Sequence, residues 1–244
     1  QTCALPIFID TPIYGGMCTG AYTASVVSFA KLCDRQNIKC DVFNLTNESL
    51  VQRGRNSLVQ IFMNTDYTHF FFIDADIGFN PYEAIKMLDS DKEVLCGAYP
   101  RKYFNWRNIR ECAINGGSIE NMMVESLDHV VIFINGDRQP PIDEQGCVEV
   151  EYAGTGFMLI KRKVFETLKP HVDIYLCDSE VCGEININDV IHEYFYISKE
   201  AKTKRLLSED YSFCDLWRNH GGKIHVAPWI NLSHVGTHIF ARNM

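Results

Sequence analysis

Apolar residues along the first hundred positions follow two alternating patterns, one typical of buried strands and one typical of helices. Short runs dominated by apolar residues predict strands at residues 7–9, 39–45, 69–73 and 94–98. Between these runs, apolar residues recur every three or four positions, as they do on one face of a helix. Strands that alternate with helices are typical of βαβ units, so the pattern predicts an α/β protein with a mainly parallel sheet.

Three helices are predicted in this region. The helix after residue 80 has the clearest start, because Asn80 is a favourable N-cap, Pro81 suits the first helical position and Glu83 is placed to complete a capping box. The other two are predicted from apolar stripes alone, which comprise Tyr22, Val26, Phe29 and Cys33 in the first and Leu58, Ile61 and Phe62 in the second.

The pattern is less regular after residue 104. The predicted elements are strands at 129–134, 148–152 and 157–160, a short helix at 164–168 and a last helix that begins at Ser208 and stops before Gly221 and Gly222. Residues 170–201 are interpreted as a loop with some strand content. No repeat and no low-complexity linker interrupts the sequence, so residues 1–244 are interpreted as one domain.

Composition narrows the class of protein. A hydrophobic content of 46% with 22% charged residues is ordinary for a globular protein. The formal net charge of -8 argues against a nucleic-acid partner, because phosphate backbones are bound by clustered Lys and Arg. No apolar run reaches the length of roughly 20 residues that a membrane span needs. We therefore expect no membrane span in this chain.

The cysteines bear on the compartment. None of the ten forms a Cys-x-x-Cys pair, and several lie in apolar segments, which favours free thiols and a cytoplasmic location. Three Asn-x-Ser/Thr sequons, at Asn44, Asn47 and Asn231, would matter only in a secretory route. An anchor removed from before Gln1, with a Golgi-type location, stays open as the alternative.

Two carboxylates follow the third predicted strand directly, at Asp74 and Asp76. The carboxyl ends of parallel strands are where open α/β sheets bind their ligands. Two carboxylates this close repel each other unless a cation lies between them, and Mg²⁺ and Mn²⁺ accept oxygen ligands. Such an ion can bridge protein and diphosphate and neutralise charge on a leaving group. The triplet Asp74-Ala75-Asp76 therefore predicts a divalent-cation site.

Two other interpretations fit an isolated Asp-x-Asp triplet. The acids can be ordinary loop residues, because such a triplet occurs by chance in many proteins. A calcium loop of the EF-hand type is the second, but its sixth and twelfth positions fall on Phe79 and Ile85, which supply neither the required glycine nor a ligand. The position of the triplet after an all-apolar strand favours the catalytic metal site.

Three later segments join the triplet in a specific order. They are residues 154–160, Ser208-Glu209-Asp210 and Ser233-His234-Val235-Gly236. From about residue 7 to residue 236 the chain resembles the nucleotide-sugar glycosyltransferases of the GT-A fold, family 2-like members with an Asp-x-Asp motif. The resemblance implies a Rossmann-like, three-layer α/β/α fold with a mainly parallel mixed sheet. In it, residues 1–104 bind the nucleotide sugar and residues 105–244 bind the acceptor.

The resemblance also implies which residues bind the donor. They are Thr11, Pro12, Tyr14, Arg53, Arg55, Asn56, Asp74, Ala75, Asp76, Lys102, Gly154 and Gly156. Guanidinium groups fit diphosphate oxygens bidentately, although a solvated helix face explains the two arginines as well. The two glycines would let the backbone pass close to the sugar, although a tight turn also explains them.

Asp74, Asp76 and His234 are the metal ligands that the resemblance implies, with Mn²⁺ or Mg²⁺ as the ion. Imidazole is a reasonable ligand for Mn²⁺, and a lone histidine is otherwise a structural residue. His238 is the alternative ligand from the same end of the sequence.

Glu209 and Asp210 resemble the acidic pair that opens the acceptor-side helix of the family. In inverting members one such carboxylate is the general base on the acceptor hydroxyl, which typically contributes on the order of a hundredfold in rate. We choose Asp210 as the base and Glu209 as second candidate. Acids in a first helical turn also stabilise the helix through its dipole, by roughly 0.3–1 kcal/mol.

The implied function is hexosyl transfer from a UDP- or GDP-sugar, UDP preferred, to a hydroxyl of a glycan or another acceptor, with inversion favoured over retention. A nucleotidyltransferase that forms nucleotide sugars is the nearest rival, but Tyr14-Gly15-Gly16-Met17 lacks the basic residue of its phosphate loop. A metal-dependent carbohydrate-binding module is the non-enzymatic rival, and it would not need Glu209 and Asp210. The oligomeric state stays open.

Overall fold

The computed structural model describes residues 6–136, 140–181, 183–200 and 203–237. The strands of the described chain are β1 (Ile7–Ile13), β2 (Cys40–Thr46), β3 (His69–Ile73), β4 (Ile77–Phe79), β5 (Val94–Gly97), β6 (Val131–Phe133), β7 (Val148–Ala153), β8 (Phe157–Lys161), β9 (Ile174–Leu176), β10 (Val190–His192), β11 (Ser198–Lys199), β12 (Leu206–Leu207), β13 (Ile224–Ala227) and β14 (Leu232–His234). The α-helices are α1 (Gly20–Arg35), α2 (Val51–Met63), α3 (Pro81–Asp89), α4 (Trp106–Ile114), α5 (Ile119–Glu125), α6 (Arg162–Leu168) and α7 (Glu209–Asn219).

Eight of these strands form one mixed sheet in the order β2-β1-β3-β8-β5-β13-β7-β6. Pairing is parallel between β1 and β2, β1 and β3, and β5 and β13, while β8 and β7 are antiparallel to their neighbours. Six strands therefore point one way and two the other. The three short two-stranded ribbons β9-β10, β11-β12 and β4-β14 lie outside this sheet.

Helices cover both faces of the sheet. Apolar residues of α2, α6 and α7 join one buried cluster, together with Phe70 and Phe72 of β3. Those of α1 and α3 join a second cluster, together with Phe71 and Ile73 of the same strand. The predicted three-layer α/β/α architecture with a mainly parallel mixed sheet is confirmed.

Strand β3 shows why its sequence is apolar throughout. All five residues of β3 are buried, because its side chains alternate between the two clusters. Burying one large apolar side chain contributes about 1.5–3 kcal/mol, so the strand is held firmly at the centre of the fold. It ends directly before Asp74, so the acidic triplet lies at the carboxyl end of a buried central strand.

The elements predicted in the first hundred residues are all present, with bounds that differ by a few residues. One local detail was wrong. Asn80 does cap α3 by accepting a hydrogen bond from the Tyr82 amide at 3.0 Å. Glu83, however, does not complete a capping box. Its carboxylate instead accepts hydrogen bonds from the backbone and side-chain nitrogens of Asn231, at 2.8 and 3.0 Å.

Several elements of the second half were not predicted. Helices α4 and α5 lie in the less regular stretch after residue 104, and neither contains a buried residue. Strand β13 has only four residues, yet it lies inside the sheet between β5 and β7. The ribbon of β4 and β14 joins segments that are far apart in sequence, with Ile77 opposite His234.

Two expectations concern the chain as a whole. Within the described ranges, no helix is both long and apolar enough to cross a membrane. Eight cysteines have free thiols in the part of the chain that the structure describes. Cys3 and Cys182 lie outside the described residues.

Candidate functional site

A cavity of about 840 Å³ opens where β1 and β3 end, and we call it the strand-end cavity. Its size is typical of a small-molecule site. Eight residues predicted from the sequence line it, namely Pro12, Tyr14, Arg55, Asp74, Ala75, Asp76, Lys102 and His234. The structure thus brings together residues from the first turn, the second helix, the acidic triplet and the last ribbon.

Asp76, Lys102 and His234 meet on one side of this cavity, and we call them the outer cluster. Oδ1 of Asp76 lies 3.3 Å from Nε2 of His234, and Oδ2 accepts a hydrogen bond from the ammonium of Lys102. Burial raises the pKa of Asp76, but the hydrogen bonds from His234 and Lys102 outweigh burial, so the pKa lies below its usual value. Asp76 is therefore a carboxylate at neutral pH.

The orientation of His234 follows from its backbone and its second nitrogen. The pairing of β14 with β4 places His234 opposite Ile77, next to Asp76. Nδ1 lies 2.7 Å from the carbonyl oxygen of Pro100. Because a carbonyl only accepts, Nδ1 donates to it, and this turns Nε2 of the ring towards Asp76. Metal-binding histidines commonly have this arrangement, with one nitrogen anchored and the other facing the ion.

Arg55, Asp74 and Glu209 form a second group, the inner cluster. Nη2 of Arg55 lies 3.2 Å from Oδ1 of Asp74, and Nε lies 3.3 Å from Oε1 of Glu209. The guanidinium stacks 4.8 Å from the ring centre of Phe72, and only 5% of the side chain is exposed. Burial lowers the pKa of Arg55, but the charges of Asp74 and Glu209 raise it more, so the group stays charged.

Asp10 was not identified from the sequence. It directly follows the predicted apolar strand of Ile7, Phe8 and Ile9. It is completely buried, and neither carboxyl oxygen has a hydrogen-bond partner among the described residues. Burial raises its pKa well above the usual value, and the nearby Thr11 amide and Arg55 charge counter only part of this. The signal available was a carboxylate inside a strand that is buried on both faces.

Three further predicted donor-binding residues have partners within the protein. Thr11 is buried, with its hydroxyl 2.6 Å from that of Tyr22. Asn56 is 1% exposed, and its side-chain amide bonds to both backbone groups of Phe195 at 2.8 Å. Arg53 makes a bidentate pair with Glu48, at 2.7 and 2.9 Å. Of these side chains, Thr11 and Asn56 lie behind the cavity wall and Arg53 borders a neighbouring pocket.

Gly154 and Gly156 are also buried, and the structure gives a reason for both glycines. A Cβ at Gly154 would lie 2.1 Å from the hydroxyl oxygen of Tyr99, and one at Gly156 would lie 2.9 Å from the same atom. The Gly156 amide donates to this hydroxyl at 3.2 Å. The close approach that they permit is thus to Tyr99 and to Asp74 within the protein.

Of the acidic pair at the start of α7, Glu209 reaches the site through Arg55. Glu209 contacts Arg55 directly, which links it to Asp74. Asp210 is turned differently, because its Oδ1 accepts hydrogen bonds from the Ser208 hydroxyl and from the Tyr211 amide. The two acids, adjacent in sequence, therefore have separate partners.

A smaller cavity of about 370 Å³ shares Lys102, His234, Gly236 and Thr237 with the strand-end cavity. We call it the aromatic cavity, because Tyr103, Phe104 and Trp106 line it. Trp106 is 69% exposed. The segment that carries these rings is anchored, since the amides of Arg101 and Asn105 donate to the carbonyls of Asp128 and Ser126, each at 2.8 Å.

The predicted metal ligands come together only in part. Asp76 and His234 face each other, whereas Asp74 contacts Arg55. In the described part of the chain, no three His, Cys, Asp or Glu side chains are gathered as a ligand set. His238, the alternative ligand, lies outside the described residues. The carboxylate of Asp76 and Nε2 of His234 are ligand types that fit a divalent cation, with further positions left to a diphosphate and water.

Comparisons with solved structures place this fold. A197 from STIV matches with a TM-score of 0.51 and 14% identity over 95% of this chain and 86% of that chain. GalNAc-T7, solved with UDP, GalNAc and Mn²⁺, matches with a TM-score of 0.51 and 10% identity over 96% of this chain and 44% of that chain. The chain has the GT-A fold.

A looser match is the inositol-1-phosphate CTP transferase from T. maritima, with a TM-score of 0.44 and 10% identity over 95% of this chain and 89% of that chain. No protein-family model matches the sequence. No curated protein matches it either. At these identities the likeness is one of fold, so the function is argued from the site.

Proposed function

We propose that the protein is a metal-dependent glycosyltransferase that transfers a sugar from a nucleoside-diphosphate sugar to an acceptor hydroxyl. The observation that carries this proposal is the pair of Asp76 and His234 at the edge of the strand-end cavity, 3.3 Å apart. The carboxylate faces Nε2 of an imidazole whose other nitrogen is anchored to Pro100. A carboxylate oxygen and an imidazole nitrogen in this arrangement are ligands that Mn²⁺ accepts.

The charges around the site support the same conclusion. Asp74, Asp76, Glu209 and Asp210 supply four negative charges, and Arg55 and Lys102 supply two positive ones. A diphosphate brought to this site meets a net excess of carboxylates. A divalent cation such as Mn²⁺ or Mg²⁺ would offset that repulsion and, when bound, stabilise charge on the departing diphosphate.

The lining of the strand-end cavity supports roles for individual residues. Tyr14 is 76% exposed beside Pro12, where it can cover a nucleoside. Lys102 can pair with the diphosphate. UDP is the preferred nucleotide, and the fold neighbour GalNAc-T7, solved with UDP and Mn²⁺, supports that preference.

On the acceptor side, residues 105–244 supply the candidate base. We assign Asp210 as the general base that takes the proton of the acceptor hydroxyl, with Glu209 as second candidate, and inversion as the outcome. The aromatic cavity lies next to the strand-end cavity, so an acceptor glycan can enter there and present a hydroxyl to the sugar. Inner-cluster contacts of Arg55 would hold Asp74 and Glu209 in position during transfer.

The test is a calorimetric titration of UDP, GDP, UDP-sugars and GDP-sugars, each with and without Mn²⁺, followed by an assay for nucleotide release. We expect UDP to bind in the presence of Mn²⁺ and a UDP-sugar to release UDP when an acceptor is supplied. Binding of sugar without any nucleotide would indicate a carbohydrate-binding module. Release of pyrophosphate from a nucleoside triphosphate would indicate a nucleotidyltransferase. Either result would overturn the proposal.

A further inference from the structure

Lys102 occupies one of the two carboxylate oxygens that Asp76 can offer to a cation. Its ammonium donates to Oδ2 of Asp76, while Oδ1 faces His234. The backbone oxygen of Asp76 is also used, because it accepts from the Val235 amide at 2.9 Å. A divalent ion held by Asp76 would therefore bind a carboxylate that already carries a positive partner.

The path of the Lys102 side chain depends on Gly236. A Cβ at Gly236 would lie 2.9 Å from Cδ and 3.2 Å from Cγ of Lys102, which is closer than ordinary contact. The stem of Lys102 thus lies against bare backbone in the segment that follows His234. The same lysine lines both the strand-end and the aromatic cavity, and 39% of its side chain is exposed. Its ammonium has room to leave Asp76 without any change in the sheet.

We propose that Lys102 is an internal counter-ion that holds the cation's place in the free protein and moves to the diphosphate when cation and nucleotide bind. This inference rests on the proposed function. An ammonium and a divalent cation on one carboxylate repel each other, so binding of the ion displaces Lys102. The displaced ammonium would then pair with the diphosphate, which would bind in the same cavity. Cation and nucleotide therefore bind cooperatively, each favouring the other by the same factor.

The test titrates the protein with Mn²⁺ alone, with UDP alone, and with UDP at saturating Mn²⁺. The variants are Lys102→Met, Lys102→Arg and the control Lys223→Met, which removes an exposed lysine paired with Glu149. We expect Lys102→Met to bind Mn²⁺ alone more tightly than the wild type, by roughly 5- to 150-fold. It should also lose most of the cooperativity between Mn²⁺ and UDP. Lys102→Arg keeps the charge, so its Mn²⁺ affinity and its cooperativity should lie close to those of the wild type. Lys223→Met should match the wild type in both quantities.

Equal or weaker binding of Mn²⁺ alone by Lys102→Met would overturn the inference, because a lysine that merely packs or binds phosphate does not compete with the ion. Absence of Mn²⁺ binding in every variant would overturn it too. The UDP series then separates the two proposals. If UDP binds wild type without any ion, nucleotide recognition stands although Lys102 does not act as inferred. If UDP binds under no condition, the proposed function fails as well. Circular dichroism confirms that each variant is folded.

Discussion

The inner and outer clusters start from the same three-residue motif but differ in the basic side chain that pairs with each carboxylate, which is buried for Asp74 and partly exposed for Asp76. Asp74 turns inward to Arg55, which is nearly inaccessible and also contacts Glu209. Asp76 turns outward to Lys102 and His234, which line two open cavities. In the inner cluster the partners are fixed by burial, whereas those of the outer cluster can exchange with ligands. We therefore propose different purposes for the two carboxylates, with Asp74 holding the structure and Asp76 binding the ion.

The largest expected effect is on stability and concerns the inner cluster. Arg55→Met leaves Asp74 and Glu209 without their shared partner and brings Asp10 next to an apolar side chain. Removing one member of a buried ion pair typically costs about 3–5 kcal/mol of unfolding free energy, and we expect a loss of that size in denaturant titrations. Arg53→Met, two residues earlier on α2, is the control. Its pair with Glu48 is more exposed, so the loss should stay below about 1 kcal/mol. Similar losses in both variants would erase the distinction between the clusters.

The second effect concerns the outer cluster and appears in kinetics. Asp76→Asn should lower kcat/KM by at least about a hundredfold, since even groups that only support a metal ligand typically contribute 10- to 100-fold. Its unfolding free energy should change by no more than about 1 kcal/mol, because Asp76 is only half-buried and lies at the edge of a cavity. Retained Mn²⁺-dependent turnover in this variant would contradict the assignment of Asp76. Asp66→Asn, on the surface, serves as the control for charge removal.

The smallest effect is a pH dependence caused by Asp10. Because burial places its folded-state pKa above the unfolded value near 3.9, the folded protein keeps a proton that the unfolded chain releases. The free energy of unfolding therefore falls as pH rises above about 4, until the folded pKa is reached. Asp10→Asn cannot titrate, so relative to the wild type it should gain stability between pH 4 and pH 7. The gain amounts to about 1.4 kcal/mol for each unit of pKa shift within that window.

Denaturant titrations of Asp10→Asn and the wild type at pH 4 and at pH 7 measure this difference in unfolding free energy. Asp66 provides the opposite case, because its hydrogen bond with Lys39 lowers its pKa, and Asp66→Asn should lose stability relative to the wild type as pH rises. A pH-independent difference between Asp10→Asn and the wild type would show that Asp10 is already charged when folded.

The sequence predicted those parts of the fold whose signals are local. Strand β3 is an unbroken apolar run, and Asn80 with Pro81 marks the start of α3, so both were found. Helices α4 and α5 are short, bury no side chain and were missed in the less regular stretch after residue 104. The isolated strand β13 is too short to be distinguished from a loop.

The same limit applies to the site. The triplet and His234 were found because their order along the chain matches a known pattern. The partners of Arg55 were not found, because Asp74 and Glu209 lie 19 and 154 residues away, and only folding shows that one guanidinium serves both. Asp10 was missed because a single acid at the end of an apolar run looks like a strand terminus. Residues whose role depends on distant contacts carry little local signal.

The ribbon of β4 and β14 has a consequence for the order in which the molecule matures during translation. Asp76 emerges from the ribosome long before His234, which belongs to the last described ribbon. Domains of this size can begin to collapse while synthesis proceeds from the amino terminus. A nascent chain that has already formed β1 to β3 would thus lack half of the proposed ion-binding pair, and we expect it to gain affinity for nucleotide only once β14 has docked.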